Sequence, residues 1–99
     1  MLDIKKTMEE GKLTVTLEGR LDTTTARELE ESIKPELAEA HSVIFDAAKL
    51  QYISSAGLRV LLATQKTVNG RGEMVIRNVT NEVREIFEVT GFTEILTLE

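Results

Sequence analysis

The stretch "YISSAGLRVLL", residues 52 to 62, holds the best candidates for chemistry in this chain: two adjacent serines, then an alanine and a glycine, then an aliphatic run. A serine at the start of a helix can cap it, accepting one of the amide N–H groups that the first turn leaves unpaired. It can also carry a phosphate, because the same amides and the helix macrodipole stabilise negative charge. Small Ala56 and Gly57 leave a hydroxyl open to an approaching enzyme, and Arg59 follows Ser55 by four residues, one turn along the same helical face. Ser54 and Ser55 are each compatible with both roles at this level.

Other chemistry is poorly represented. A metal centre gathers several His, Cys or carboxylate ligands, whereas the chain has one histidine, His41, and no cysteine. A Ser-His-Asp set could be assembled from His41 and Asp46, but a nucleophilic serine of that kind sits on a glycine-flanked elbow and "ISSAG" lacks the first glycine. There is no G-x-x-x-x-G-K-[ST] phosphate loop, and "NGRGE" reads as a turn between helix and strand. The expectation is a protein without a catalytic group, metal or cofactor of its own.

The elements that must position the serines follow from hydrophobic period. Leu13, Val15 and Leu17 alternate with Thr14, Thr16 and Glu18, a strand with one buried face. Leu2, Ile4 and Met8 alternate more loosely, and Glu10-Gly11-Lys12 supplies a turn, so the first two strands form a hairpin. In "LDTTTARELEESI", Ala26, Leu29, Ile33 and Leu37 repeat at helical spacing, and Thr25 with Glu28 reads as a T-x-x-E capping box that starts a helix near Thr24 or Thr25. Pro35 should kink or restart that helix. "SVIFDA" has the continuous apolar character of a central strand covered on both faces, with Asp46 closing a turn at its end.

From Ser55 to Val68 the positions Leu58, Leu61, Leu62 and Val68 share one helical face, and Asn69-Gly70 can end that helix in left-handed geometry. "EMVIR" reads as a buried strand. "TNEVREIFEVTG" reads as a helix with Val83, Ile86 and Phe87 inward and Gly91 at its stop, and "EILTL" as a last strand. The order β-β-α-β-α-β-α-β predicts an α/β fold with a mixed, mostly parallel sheet and right-handed helical crossovers.

Composition narrows the partners. Ninety-nine residues predict one domain spanning 1–99, and 41% hydrophobic with 29% charged residues is an ordinary globular balance. Seventeen acids against twelve bases give a net charge of −5, which repels phosphate backbones and anionic lipid, so neither nucleic acid nor membrane is an expected partner. "MLDIKKTMEE" lacks the apolar core of a signal peptide and no run is long enough for a span, so a cytoplasmic protein is expected. The acidic surface and the lack of an exposed apolar stripe predict a monomer when free.

Three segments carry a resemblance: "GRLDTTTARELEESI", "VIFDAAKLQYISSAGLRVLL" and "GEMVIRNVTNEVREIFEVTGF". Together they resemble, nearly end to end, a STAS-domain protein of the anti-anti-sigma factor type, an antagonist of anti-sigma factors. The resemblance implies that Ser55, two positions before the hallmark Gly57, is phosphorylated. It also implies a partner switch, in which the unphosphorylated protein binds an anti-sigma serine kinase and frees a sigma factor for transcription. The kinase would use its own ATP and Mg²⁺ to modify Ser55 and so lose its partner, and a PP2C-type phosphatase would restore the protein. The family usually has an aspartate where this chain has Ser54, which leaves Ser54 as a second acceptor. Asp22 resembles the aspartate of the G-x-L-D element and has a helix cap or turn as its plain role. The partner surface implied comprises Asp22, Thr23, Thr24, Ser54, Ser55, Ala56, Gly57 and Arg59. Two other outputs fit the same residues: a STAS partner switch whose kinase controls something other than sigma, and a STAS module that binds a small ligand.

Overall fold

Glu10 and Gly11 both take positive φ, 50° and 79°, the backbone handedness that matches the twist of a two-residue hairpin. They join strand β1 (Leu2–Glu9) to β2 (Lys12–Leu21) in antiparallel register. The computed structural model describes residues 1–99 and continues with α1 (Thr23–Leu37), β3 (Ser42–Ile53), α2 (Ser55–Val68), β4 (Met74–Arg77), α3 (Asn81–Val89), a 3-10 turn (Phe92–Glu94) and β5 (Thr97–Leu98). The sheet order is β1-β2-β3-β4-β5, and every pair after the hairpin is parallel. The expected order of elements and the mixed, mostly parallel sheet are both present.

Right-handed crossovers that advance one strand at a time in a single direction place all their helices on the same face of the sheet. A core cluster of 23 residues fills the space beneath them, with Phe45, Phe87, Leu13, Leu17 and Leu29 among its fully buried members. The other face stays open. For that reason β3 is not covered on both sides, as its apolar run predicted: Val43, Phe45 and Ala47 are buried, while Ile44 and Asp46 between them are only half-buried.

Other local expectations are corrected by competing interactions. Helix α1 starts at Thr23 under an Asp22 N-cap, because the Asp22 carboxylate reaches the first-turn amides, and Thr25 takes the third helical position of the box. The helix does not restart at Pro35, which falls in its last turn, two residues before it stops at Leu37. On α2 the buried positions include Val60 and Thr64, and Leu62 is half-exposed. On α3, Val83 and Phe87 are buried while Ile86 lies at the margin of the core, and Gly91 ends the segment at φ 80° as expected. The final strand is shorter than "EILTL", since residues 92–94 form a 3-10 turn first.

The largest difference is in β3, which runs 12 residues rather than ending at Ala47. Two register shifts against β2 each insert one extra residue into β3, between Asp46 and Lys49 and between Leu50 and Tyr52. Bulges break the alternation of side chains without ending the strand, so the sequence pattern stops where the strand does not. Asp46 belongs to the first bulge, where its Oδ1 accepts the Ala48 amide at 3.0 Å and the Asn78 side-chain amide at 3.2 Å. It closes no turn.

Candidate functional site

Strand β3 pairs with the four-residue β4 only from Val43 to Asp46, yet it stays paired with β2 as far as Leu21 and Ile53. Beyond β4 the two strands continue as a ribbon, and each leads at its tip into a helix, β2 into α1 and β3 into α2. The Ser54 amide donates to the Leu21 carbonyl at 2.8 Å, which ties the two tips together. Asp22 and Ser54 therefore occupy adjacent chain exits. The site is built from the beginnings of two neighbouring helices.

At the first exit the Asp22 carboxylate accepts the amides of Thr24 at 3.1 Å and Thr25 at 3.0 Å. The Asp22 amide in turn donates to Thr25 Oγ1 at 2.8 Å, and the single proton of that hydroxyl is shared between the Arg20 carbonyl at 2.8 Å and the Asp22 carboxylate at 3.0 Å. The Thr25 amide and hydroxyl, aided by the Thr24 amide, hold the Asp22 carboxyl below the usual carboxylate range, since they favour its charged form. Thr23 and Thr24 are exposed beside it. The capping role of Asp22 is thus fulfilled, and the residue is half-buried rather than enclosed.

At the second exit the two serines divide. Ser54 is the N-cap of α2, with extended backbone, and its Oγ accepts the Gly57 amide at 3.3 Å. Ser55 is the first helical residue, is exposed, and has a hydroxyl that no group of the chain engages. Ala56 is half-buried and Arg59 exposed, with no carboxylate paired to it. Gly57 does something other than open access: it is buried, and a Cβ there would lie 2.7 Å from Leu21 Cγ and 2.9 Å from Ile53 Cγ1. Its lack of a side chain lets the first turn of α2 press against the ribbon. The family resemblance implies that Gly57 belongs to the partner surface, but its contacts are inward.

The remaining sequence candidates lie elsewhere. His41 precedes β3 whereas the serines follow it, and its Nε2 is 3.2 Å from the Glu10 carbonyl at the hairpin turn. With Asp46 bound to Ala48 and Asn78, no His-Asp-Ser set is formed. No three His, Cys, Asp or Glu side chains converge on a point that could hold a metal ion, and no helix is long and apolar enough to cross a membrane. Two surface hollows, of about 530 and 310 Å³, are lined by residues such as Lys49, Thr80 and Glu82 and by residues such as Ile33, Leu37 and Thr64. Ser54 and Ser55 border neither, and Ser55 lies exposed at the surface. Sequence reading missed Arg20 and Tyr52, which face each other across the ribbon tip; the bulges hid the strand that carries Tyr52, and no local pattern could have revealed it.

A family model for the STAS domain matches residues 3–99. BtrV of Bordetella bronchiseptica, a candidate anti-sigma factor antagonist, is 36% identical over 96 residues, covering 93% of this chain and 83% of its own. The fold is similar to the crystal structure of an anti-sigma factor antagonist from Mycobacterium paratuberculosis, with a TM-score of 0.88 at 21% identity over 99% of this chain and 85% of the other. It is also similar to the anti-sigma factor antagonist SpoIIAA in its unphosphorylated form, with a TM-score of 0.84 at 17% identity, 98% and 88% of the chains being covered. The phosphorylated form of the Bacillus protein SpoIIAA gives 0.76 at 16% identity, with 98% and 91% covered.

Proposed function

The chain belongs to the STAS domain family, and from that premise we propose that it is an anti-sigma factor antagonist whose docking to an anti-sigma serine kinase is gated by phosphorylation of Ser55. The observation that carries the reading is the division of labour at α2: Ser54 caps the helix, and Ser55 presents an exposed hydroxyl with no internal partner. Unphosphorylated, the surface around Ser55, with Asp22, Thr23, Thr24, Ala56 and Arg59, binds the kinase, and the sigma factor that the kinase holds is released. The kinase, with its own ATP and Mg²⁺, esterifies Ser55 and loses its grip; a PP2C-type phosphatase reverses the change.

Phosphate adds about −1.5 to −2 charges and a demand for hydration at the centre of the interface. A loss of about 3 to 4 kcal/mol, within the range for breaking a few close charged or hydrogen-bonded contacts, weakens binding several-hundredfold. Such a change needs no refolding, since the first-turn amides of α2 receive the phosphate where it forms. Ser54 is the weaker acceptor, because its hydroxyl is already engaged by Gly57. The chain itself acts as ligand and substrate.

The experiment is to express each ATPase-fold serine kinase of the source genome, incubate it with the protein and ATP, and locate the added phosphate by mass spectrometry. Modification at Ser55, accompanied by release from the kinase, is the expected result. Nucleotide-dependent release that persists in Ser55→Ala would overturn the reading.

A further inference from the structure

Leu21 and Ile53 at the ribbon tip point into the core, so their neighbours Arg20 and Tyr52 point to the open side of the sheet. Arg20 and Tyr52 are directly opposed in the register, and the guanidinium carbon lies 4.4 Å from the ring centroid, well inside cation–π range. Arg20 is nonetheless exposed, and the two ion pairs of the chain, Lys6–Glu36 and Arg77–Glu99, do not involve it. The result is a guanidinium held in place by a ring, with its donor fork free of any carboxylate.

We propose that Arg20, steadied by Tyr52, is a docking anchor that accepts a carboxylate of the protein partner that also meets Ser55; this rests on the docking reading above. A planar guanidinium binds a carboxylate through two parallel hydrogen bonds. Stacking on Tyr52 has already removed much of the side-chain freedom that binding would otherwise take away. Arg and Tyr are also the residue types most often found to dominate protein interfaces. The position fits: Ser55 lies three positions after Tyr52, at most about 11 Å of chain, and a footprint of about 800 Å² centred on Ser55 extends about 16 Å. The net charge of −5 attracts a broadly basic partner surface. One fixed cation within that field selects a partner that places an acid in register with it, which serves specificity more than attraction.

The test uses the kinase that modifies Ser55, with affinity measured by titration calorimetry for the parent protein and for Arg20→Glu, Arg20→Lys and Tyr52→Leu. Arg20→Glu is expected to weaken binding about 30- to 100-fold, and the other two about 3- to 10-fold, by loss of the bidentate or stacked geometry. Release on Ser55 phosphorylation should survive in every variant. The chain has a single tyrosine, so 3-fluorotyrosine labelling yields one ¹⁹F line, which should shift when the kinase is added. Unchanged affinity of Arg20→Glu, with phosphate-driven release intact, overturns this inference and leaves the Ser55 reading standing. A ¹⁹F line that stays in place when the kinase binds would also overturn it, since the Arg20–Tyr52 pair would then lie outside the contact. If no kinase binds the parent protein, the Ser55 reading itself fails and the anchor with it.

Discussion

A serine hydroxyl that accepts a backbone amide loses that contact when it is removed, and Ser54 holds such a contact with Gly57 while Ser55 holds none. Ser54→Ala is therefore expected to destabilise the fold by about 1 kcal/mol, and Ser55→Ala to stay within about 0.5 kcal/mol of the parent; urea denaturation distinguishes the two. Arg59, exposed and unpaired one turn after Ser55, can face a phosphate there, and a helical pair of this kind is worth about 0.5 kcal/mol at a solvated surface. Arg59→Ala should accordingly be dephosphorylated about twofold faster by a PP2C-type phosphatase; equal rates would dispose of that role. Asp22 contributes a pH dependence. Its carboxyl titrates below its ordinary value because Thr25 and Thr24 bond its charged form, so its contribution is present above that ordinary value and is lost as the pH falls through the depressed one. Asp22→Asn should flatten the acid limb of stability, measured by thermal melts between about pH 6 and pH 2.

At the level of elements, the site depends on how closely α2 approaches the ribbon. Leu21 and Ile53 lie within 3 Å of where a Cβ on Gly57 would stand, and they are themselves fully buried, with no room to retreat. Gly57→Ala is expected to destabilise by about 1 to 3 kcal/mol, as overpacking does. It should also displace the first turn of α2, lowering the rate of Ser55 phosphorylation even in protein that remains folded; a phosphorylation time course corrected for the folded fraction measures this. The two bulges in β3 belong to the same device, since they redirect the strand so that Leu50 and Ile53 stay buried while Tyr52 turns outward. At the far side of the molecule, Lys6 reaches from β1 to the Ser32 carbonyl and to Glu36 at 3.1 Å, bracing the last turn of α1, where Pro35 supplies no amide.

For the whole molecule, one core beneath three helices holds both helix starts in place. Phosphorylation is therefore expected to leave the backbone unchanged outside residues near 52–60, with amide shifts in ¹H–¹⁵N spectra confined to that stretch and its neighbours across the ribbon. Widespread shifts would mean that the signal is carried by refolding. Because the chain bears −5 overall, association with a basic partner surface should slow as salt rises past the point where the Debye length falls below about 10 Å. Stopped-flow rates at two ionic strengths measure that steering.

Period-two and helical spacing, the Glu10-Gly11 turn and the Gly91 stop determined the order of elements and the mixed sheet from residues alone, because each depends on interactions within a few positions of chain. The pair of serines in "ISSAG" was legible in the same way, together with the resemblance that singles out Ser55. Which serine caps and which is free was decided by tertiary structure: the Ser54 amide is fastened to Leu21 on another strand, and Gly57 is pressed against that residue. So was the reach of β3, since a bulge is defined by its partner strand and is invisible in the strand that contains it. The meeting of Arg20 with Tyr52 has the same origin, for residues 32 positions apart touch only where pairing brings two strands together.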